Sequence, residues 1–185
     1  RHTEAEPLYR EAIELLRSDD RPHQWHLAQF LTNLGVCRAD QGAALDAVSI
    51  LEEALAIKRE TLAADHPSVR STLRALCDAQ LSAGQAGAAE ATARAWIEGE
   101  TAASAGAARL AEAEAKLIRA MAAQGRTREV ADWASTRLDA LSELKPPQPA
   151  AMRVLLTAVA ESLRSAGEEE LAEHYEFELA ALPND

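Results

Sequence analysis

Positive charge is scarce in these 185 residues: 19 Lys and Arg stand against 30 Asp and Glu, a net charge of -11. A chain of that sign repels phosphate backbones unless a local basic stripe forms, and no stripe of the kind that holds nucleic acid is present. Cysteine occurs only twice, as Cys37 and Cys77. Both fall on apolar helical faces and read as small core residues rather than a disulfide or metal pair, which fits a reducing, cytoplasmic setting. Aromatic residues make up 4% of the chain and β-branched residues are few, so a sheet is not expected. No apolar run approaches the length that spans a bilayer, and no charged-then-apolar leader opens the chain. Catalytic punctuation is missing too. There is no His-Glu-x-x-His, no Gly-x-Ser-x-Gly and no glycine-rich phosphate loop. The expectation is a protein without enzymatic activity, metal or cofactor.

What is abundant is Ala, Leu, Glu and Arg, all good helix formers, in a chain that is 48% hydrophobic. The organising stretch runs from Ala28 to Lys58, where two amphipathic patterns meet at Gly42. That junction returns. Glycines stand at 42, 84, 125 and 167, spaced by 42, 41 and 42 residues, each between two apolar helical runs. A glycine in this place supplies the left-handed backbone that ends a helix. Two helices in each period of about 42 residues is the mark of a helical solenoid, in which every hairpin buries its faces against its neighbours.

Apolar residues at three- and four-residue spacing place the helices. The first covers 4–18, with Leu8, Tyr9, Ala12, Ile13, Leu15 and Leu16 on one face. Asp19, Asp20 and Pro22 break it, and Pro22 fits the first turn of a helix that runs through Trp25, Leu27, Phe30, Leu31 and Leu34 to about Asp40. After Gly42 a helix buries Leu45, Val48, Ile50, Leu51, Leu55 and Ile57. Asp65 or His66 flanks the next, from Pro67 to Gly84. An alanine-rich helix over 86–101 tolerates Gly87 and Gly99 in its interior, each costing about 1 kcal/mol against Ala. Helices over 107–124 and 127–143 follow. Three prolines within Lys145-Pro146-Pro147-Gln148-Pro149 force a break, and helices over 150–165 and 168–182 close the chain.

Leu31, Leu34, Gly35, Gly42, Ala47, Leu51 and Ala54 stand at the large and small positions of a tetratricopeptide repeat, and the chain resembles that family. The 42-residue period and the stretches 4–16 and 51–69 are similar to the long repeats of kinesin light chains, of a type also carried by bacterial regulatory proteins. The resemblance implies an all-α, right-handed α-solenoid of about nine helices in a single array over 1–185. A half repeat over 4–18 precedes full repeats over 22–63, 66–103, 107–143 and 148–182. Because the half repeat matches a second helix, the array is expected to be a piece of a longer chain. Gly35 and Ala47 are expected to let paired helices approach, and Ala54 to let the next repeat stack. Trp96 departs from the pattern, standing where a small residue is usual.

The same resemblance implies function. In such arrays the first helix of each hairpin lines a concave groove that takes a peptide or helix of a partner protein. Stepping along the first helices brings Gln29, Thr32, Asn33 and Val36 to the groove, then Ser71, Arg74 and Asp78, then Glu112, Lys116 and Arg119, and finally Thr157, Glu161 and Arg164. Asn33 matches the asparagine that such repeats use against a peptide backbone, since a carboxamide both donates and accepts. Arg74, Lys116 and Arg119 form a basic strip unless Asp78, Glu112 and Glu161 neutralise it. His23 and His26 lie three apart but without the further ligands zinc wants. The leading expectation is therefore a cytoplasmic protein–protein interaction module that binds neither nucleic acid nor membrane. A regulatory domain of a larger signalling protein and a scaffold that self-associates through its terminal helices are the alternatives.

Overall fold

The computed structural model describes residues 2–18, 23–144 and 148–183, with side chains from residue 5 onward. The expected breaks at Asp19-Asp20-Pro22 and Lys145-Pro146-Pro147 lie outside the described residues. Within them the chain is all-α, with nine helices: α1 His2–Ser18, α2 Gln24–Asp40, α3 Ala44–Thr61, α4 Pro67–Ser82, α5 Ala86–Ala102, α6 Ala107–Ala122, α7 Thr127–Ser142, α8 Pro149–Ser165 and α9 Glu169–Ala181. No helix among the described residues is long and apolar enough to cross a membrane. The chain divides into two compact units, Arg1–Gln85 and Ala86–Asp185.

The periodic glycines do the same work each time. Gly42, Gly84, Gly125 and Gly167 have φ of 80°, 73°, 76° and 84°. At Gly42 the glycine N–H donates to the Ala39 carbonyl at 2.9 Å and the Ala43 N–H reaches back to the Arg38 carbonyl at 2.9 Å. This pair of bonds is a Schellman motif, which satisfies carbonyls orphaned at a helix end. The other three glycines repeat it. A fifth copy ends α5, where Ala105 N–H donates to the Glu100 carbonyl at 2.9 Å around Ser104. Ser104 has φ of 50° with no glycine to relieve it. Left-handed backbone costs an L-residue roughly 1–2 kcal/mol, part of which glycine's own entropy offsets. Ser104→Gly is therefore expected to stabilise the protein by about 0.5–1 kcal/mol and raise the melting temperature. An unchanged or lower melting temperature contradicts the strain. The start of α4 is equally defined: His66 is the N-cap, its Nδ1 accepting from the Ser68 N–H at 3.1 Å, with Pro67 in the first turn.

In the first unit α1 packs on α2, α2 on α3, and α4 against both α3 and α2. Ile13, Leu31, Leu34 and Ala54 form a buried cluster, flanked by Tyr9, Leu27, Phe30, Ile50 and Ile57. Gly35 acts as expected, while Ala54 packs with Ile13 of α1 and with Leu31 and Leu34 of α2 rather than toward the next repeat. A Cβ on Gly35 would lie 2.5 Å from Leu51 Cγ, so the α2–α3 approach depends on its absence; Ala47 and Ala54 are fully buried. Three leucines differ from expectation. Leu8 and Leu15 are 65% and 64% exposed: among the described residues α1 packs on α2, and the packed side takes Ile13. Leu45 is exposed as well. It sits in the first turn of α3, at the rim of a depression beside Gly42 and Ser82.

In the second unit α5 packs on α6, α6 on α7 and α8, α8 on α7 and α9. Trp96, at the small-residue position, is buried with its indole N–H donating to Glu100 Oε1 at 2.8 Å, so the ring brings its own polar partner inside. Glu114 on α6 is buried and accepts from Arg137 Nε at 2.7 Å, while burial pushes its carboxyl above the ordinary range. Tyr175 ties α9 to α7 by donating to the Ala131 carbonyl at 3.1 Å. Phe177, on the other side of α9, is 76% exposed.

One polar staple occurs in both units. Glu6 on α1 accepts from Gln41, Arg10 and Arg38; Glu90 on α5 accepts from Arg94, Gln124 and Arg126. Gln41 and Gln124 each precede a left-handed glycine. Each staple therefore joins the second helix of one hairpin to the turn of the next. The hydrogen bonds from Arg94 and Gln124 hold the Glu90 carboxyl down at about 2, and Gln41 lowers that of Glu6.

Candidate functional site

The first-helix faces of the two units are built differently. In the first unit, Gln29, Asn33 and Val36 recur at four and three residues along α2, which places them on one stripe. Gln29 Nε2 donates to Asn33 Oδ1 at 3.3 Å, both residues are half-buried, and Val36 is exposed. On the neighbouring α4, Ser71 and Arg74 are exposed and Asp78 is half-buried.

Thr32, stepped onto the groove by its position, is instead 7% exposed. Its hydroxyl donates to the Ala28 carbonyl at 2.7 Å and accepts from Lys58 Nζ at 2.8 Å. Lys58 makes an equal bond to Thr72, whose hydroxyl donates to the Ser68 carbonyl at 2.9 Å. A lysine 2% exposed thus joins α2, α3 and α4 through the Thr32 and Thr72 hydroxyls and the Ser68 carbonyl. Burial pulls its pKa down to about 8. Lys58 lies seven residues from Leu51, on the same buried stripe of α3, and that spacing was the available clue.

In the second unit α6 and α8 adjoin, and a groove of about 420 Å³ opens along them. Its lining includes Lys116 and Arg119 from α6 and Thr157 from α8, as stepping predicts, together with Arg153, which stepping missed. Arg119 donates to Glu161 at 2.9 Å, so this part of the basic strip carries a counter-charge of its own. Arg153 donates to the Pro183 carbonyl at 2.9 Å and Thr157 to the Arg153 carbonyl at 2.8 Å. Arg164 points elsewhere, pairing with Glu176 at 2.9 Å.

Among the described residues, no group of three or more His, Cys, Asp or Glu could hold a metal ion. His23 and His26 are ring neighbours with centroids 6.0 Å apart, and His26 meets the edge of Trp25 at 5.3 Å.

The hairpins, their left-handed glycine turns and the Gly35–Leu51 approach match what comparison finds in sequence: residues 26–97 match the tetratricopeptide repeat family model. Residues 26–97 are tetratricopeptide repeats. The rest of the chain shares the repeat fold. Two crystal structures of nearly identical TPR-like repeats from a Podosopora anserina kinesin light chain protein, one of them a point variant, superpose with a TM-score of 0.80. Both are 19% identical in sequence and cover 97% of this chain, and the chain covers 85% and 86% of theirs. BtubC (BKLC) from P. vanneervenii matches with a TM-score of 0.69 at 17% identity, covering all of this chain and 76% of its own. No curated protein sequence matches significantly. The tetratricopeptide repeats here thus form an α-solenoid with kinesin-light-chain-like structural neighbours.

Proposed function

We propose that this protein binds an extended segment of a partner protein along the first-helix faces of its tetratricopeptide repeats. The observation that carries the reading is the Gln29–Asn33 pair beside exposed Val36 on α2. Two carboxamides held side by side offer donors and acceptors to a peptide backbone, and an exposed valine next to them offers apolar contact to a side chain. Helix α4 adds Ser71 and Arg74 to the same unit's surface. The repeat family, whose members generally mediate protein–protein contact, supports the reading.

The test is a photo-crosslinking amino acid placed at Val36, with Glu52 on the outward face of α3 as the control. A partner captured at Val36, not at Glu52, and lost on Asn33→Ala without a change in melting temperature, is the expected outcome. Equal capture at both positions, or capture indifferent to Asn33, removes this face as the binding surface.

A further inference from the structure

The α6–α8 groove stands apart in an acidic protein. Among the described residues its lining holds three cations, Lys116, Arg119 and Arg153, and the carboxylate Glu112, beside Ala115 and Val154, while Glu161 at its edge pairs with Arg119. The cations arrive from both walls, Lys116 and Arg119 from α6 and Arg153 from α8. Arg119 spends one amino group on Glu161, and Arg153 spends one on the neutral Pro183 carbonyl. A guanidinium has five N–H donors, so each keeps others for a ligand.

We propose that this groove seats a phosphorylated side chain of the bound segment; the idea rests on the groove-binding function above. Charge selects phosphate over carboxylate. The carboxylate that Arg119 can use is supplied by the protein's own Glu161, so a ligand carboxylate would compete with it for equal charge. A phosphate monoester carries nearly two negative charges and three acceptor oxygens, so it can bridge Lys116, Arg119 and Arg153 from both walls at once. The volume of about 420 Å³, between two helices, suits a side chain within a peptide rather than a broad membrane surface.

Fluorescence anisotropy with three degenerate peptide pools tests it, the pools carrying phosphoserine, glutamate or serine at a fixed central position. The phosphoserine pool is expected to bind about tenfold more tightly than the glutamate pool, since the bonds formed are charge-assisted and doubly charged. That preference should fall with added salt and disappear in Lys116→Glu and in Arg153→Gln, while both variants melt as the parent does. Arg153→Gln serves as the second arm because it removes charge without reversing it. Equal binding of the glutamate pool, a preference that survives both substitutions, or competition by free inositol phosphates with no peptide preference overturns the proposal. If the phosphoserine pool fails while a partner still crosslinks at Val36, the groove function stands and the phosphate site does not.

Discussion

A protein carrying Gly35→Ala is expected to melt roughly 5–10 °C below the parent, a loss of about 2–3 kcal/mol for overpacking a closed interface. The added methyl would lie 2.5 Å from Leu51 Cγ and 2.8 Å from its Cδ2, distances at which something must move. Leu51 is fully buried on α3 and cannot swing out to solvent, so the two helices must part. Gly87→Ala is the matched control. Nothing lies within 4 Å of the Cβ it would gain, and Ala outranks Gly in a helix by about 1 kcal/mol, so it should raise the melting temperature instead. A double variant with Leu51→Ala adds the decisive measurement. The two losses should sum to less than their separate costs, because the alanine at 35 fills part of the space vacated at 51. Strict additivity would remove the contact as the cause.

Lys58→Met is expected to stabilise the protein at neutral pH, by about 1–3 kcal/mol. Lys58 is nearly inaccessible, and burial lowers its pKa from 10.5 to about 8. A depression of that size disfavours the charged form in the folded state by at most roughly 3 kcal/mol. Methionine matches the chain length and adapts to irregular space. Neither threonine is stranded by the change, since Thr32 keeps its bond to the Ala28 carbonyl and Thr72 its bond to the Ser68 carbonyl. The pH dependence supplies an independent reading. Below pH 8 the lysine is protonated in both states and its penalty is fully present. Between about 8 and 10.5 the unfolded chain holds the proton more often than the folded one, so stability rises with pH. Denaturant melts across that window should show the rise in the parent and lose its Lys58 part in Lys58→Met. A destabilised variant, or an unchanged slope, contradicts the burial cost.

Much of this molecule was legible from residue order. The glycine spacing predicts where four helices stop, because a left-handed turn favours glycine and a Schellman motif is closed by residues within six positions of one another; the left-handed turn at Ser104, which lacks glycine, carried no such signal. Pro67 and His66 announce the start of α4 for the same local reason. Gly35, Ala47 and Ala54 were readable as contact points since the repeat pattern assigns small residues to them. The function stays coarser than the fold, because a groove is recognised by which side chains reach it.

Burial is where local order ran out. Thr32 and Asn33 are adjacent in the chain, yet one sits beneath α3 and α4 while the other stays on the open face; that division depends on where Lys58 and Thr72 arrive from 26 and 40 residues away. Leu8, Leu15 and Leu45 have the periodicity of core residues and remain exposed, since an apolar stripe is buried only when another helix comes to cover it. Arg153 joined Lys116 and Arg119 only once α8 lay against α6. The residue pattern along the chain placed the helices and the four glycine turns, whose bonds are short-range. Only packing between distant helices decided which polar groups go inside, and which positive charges share a groove.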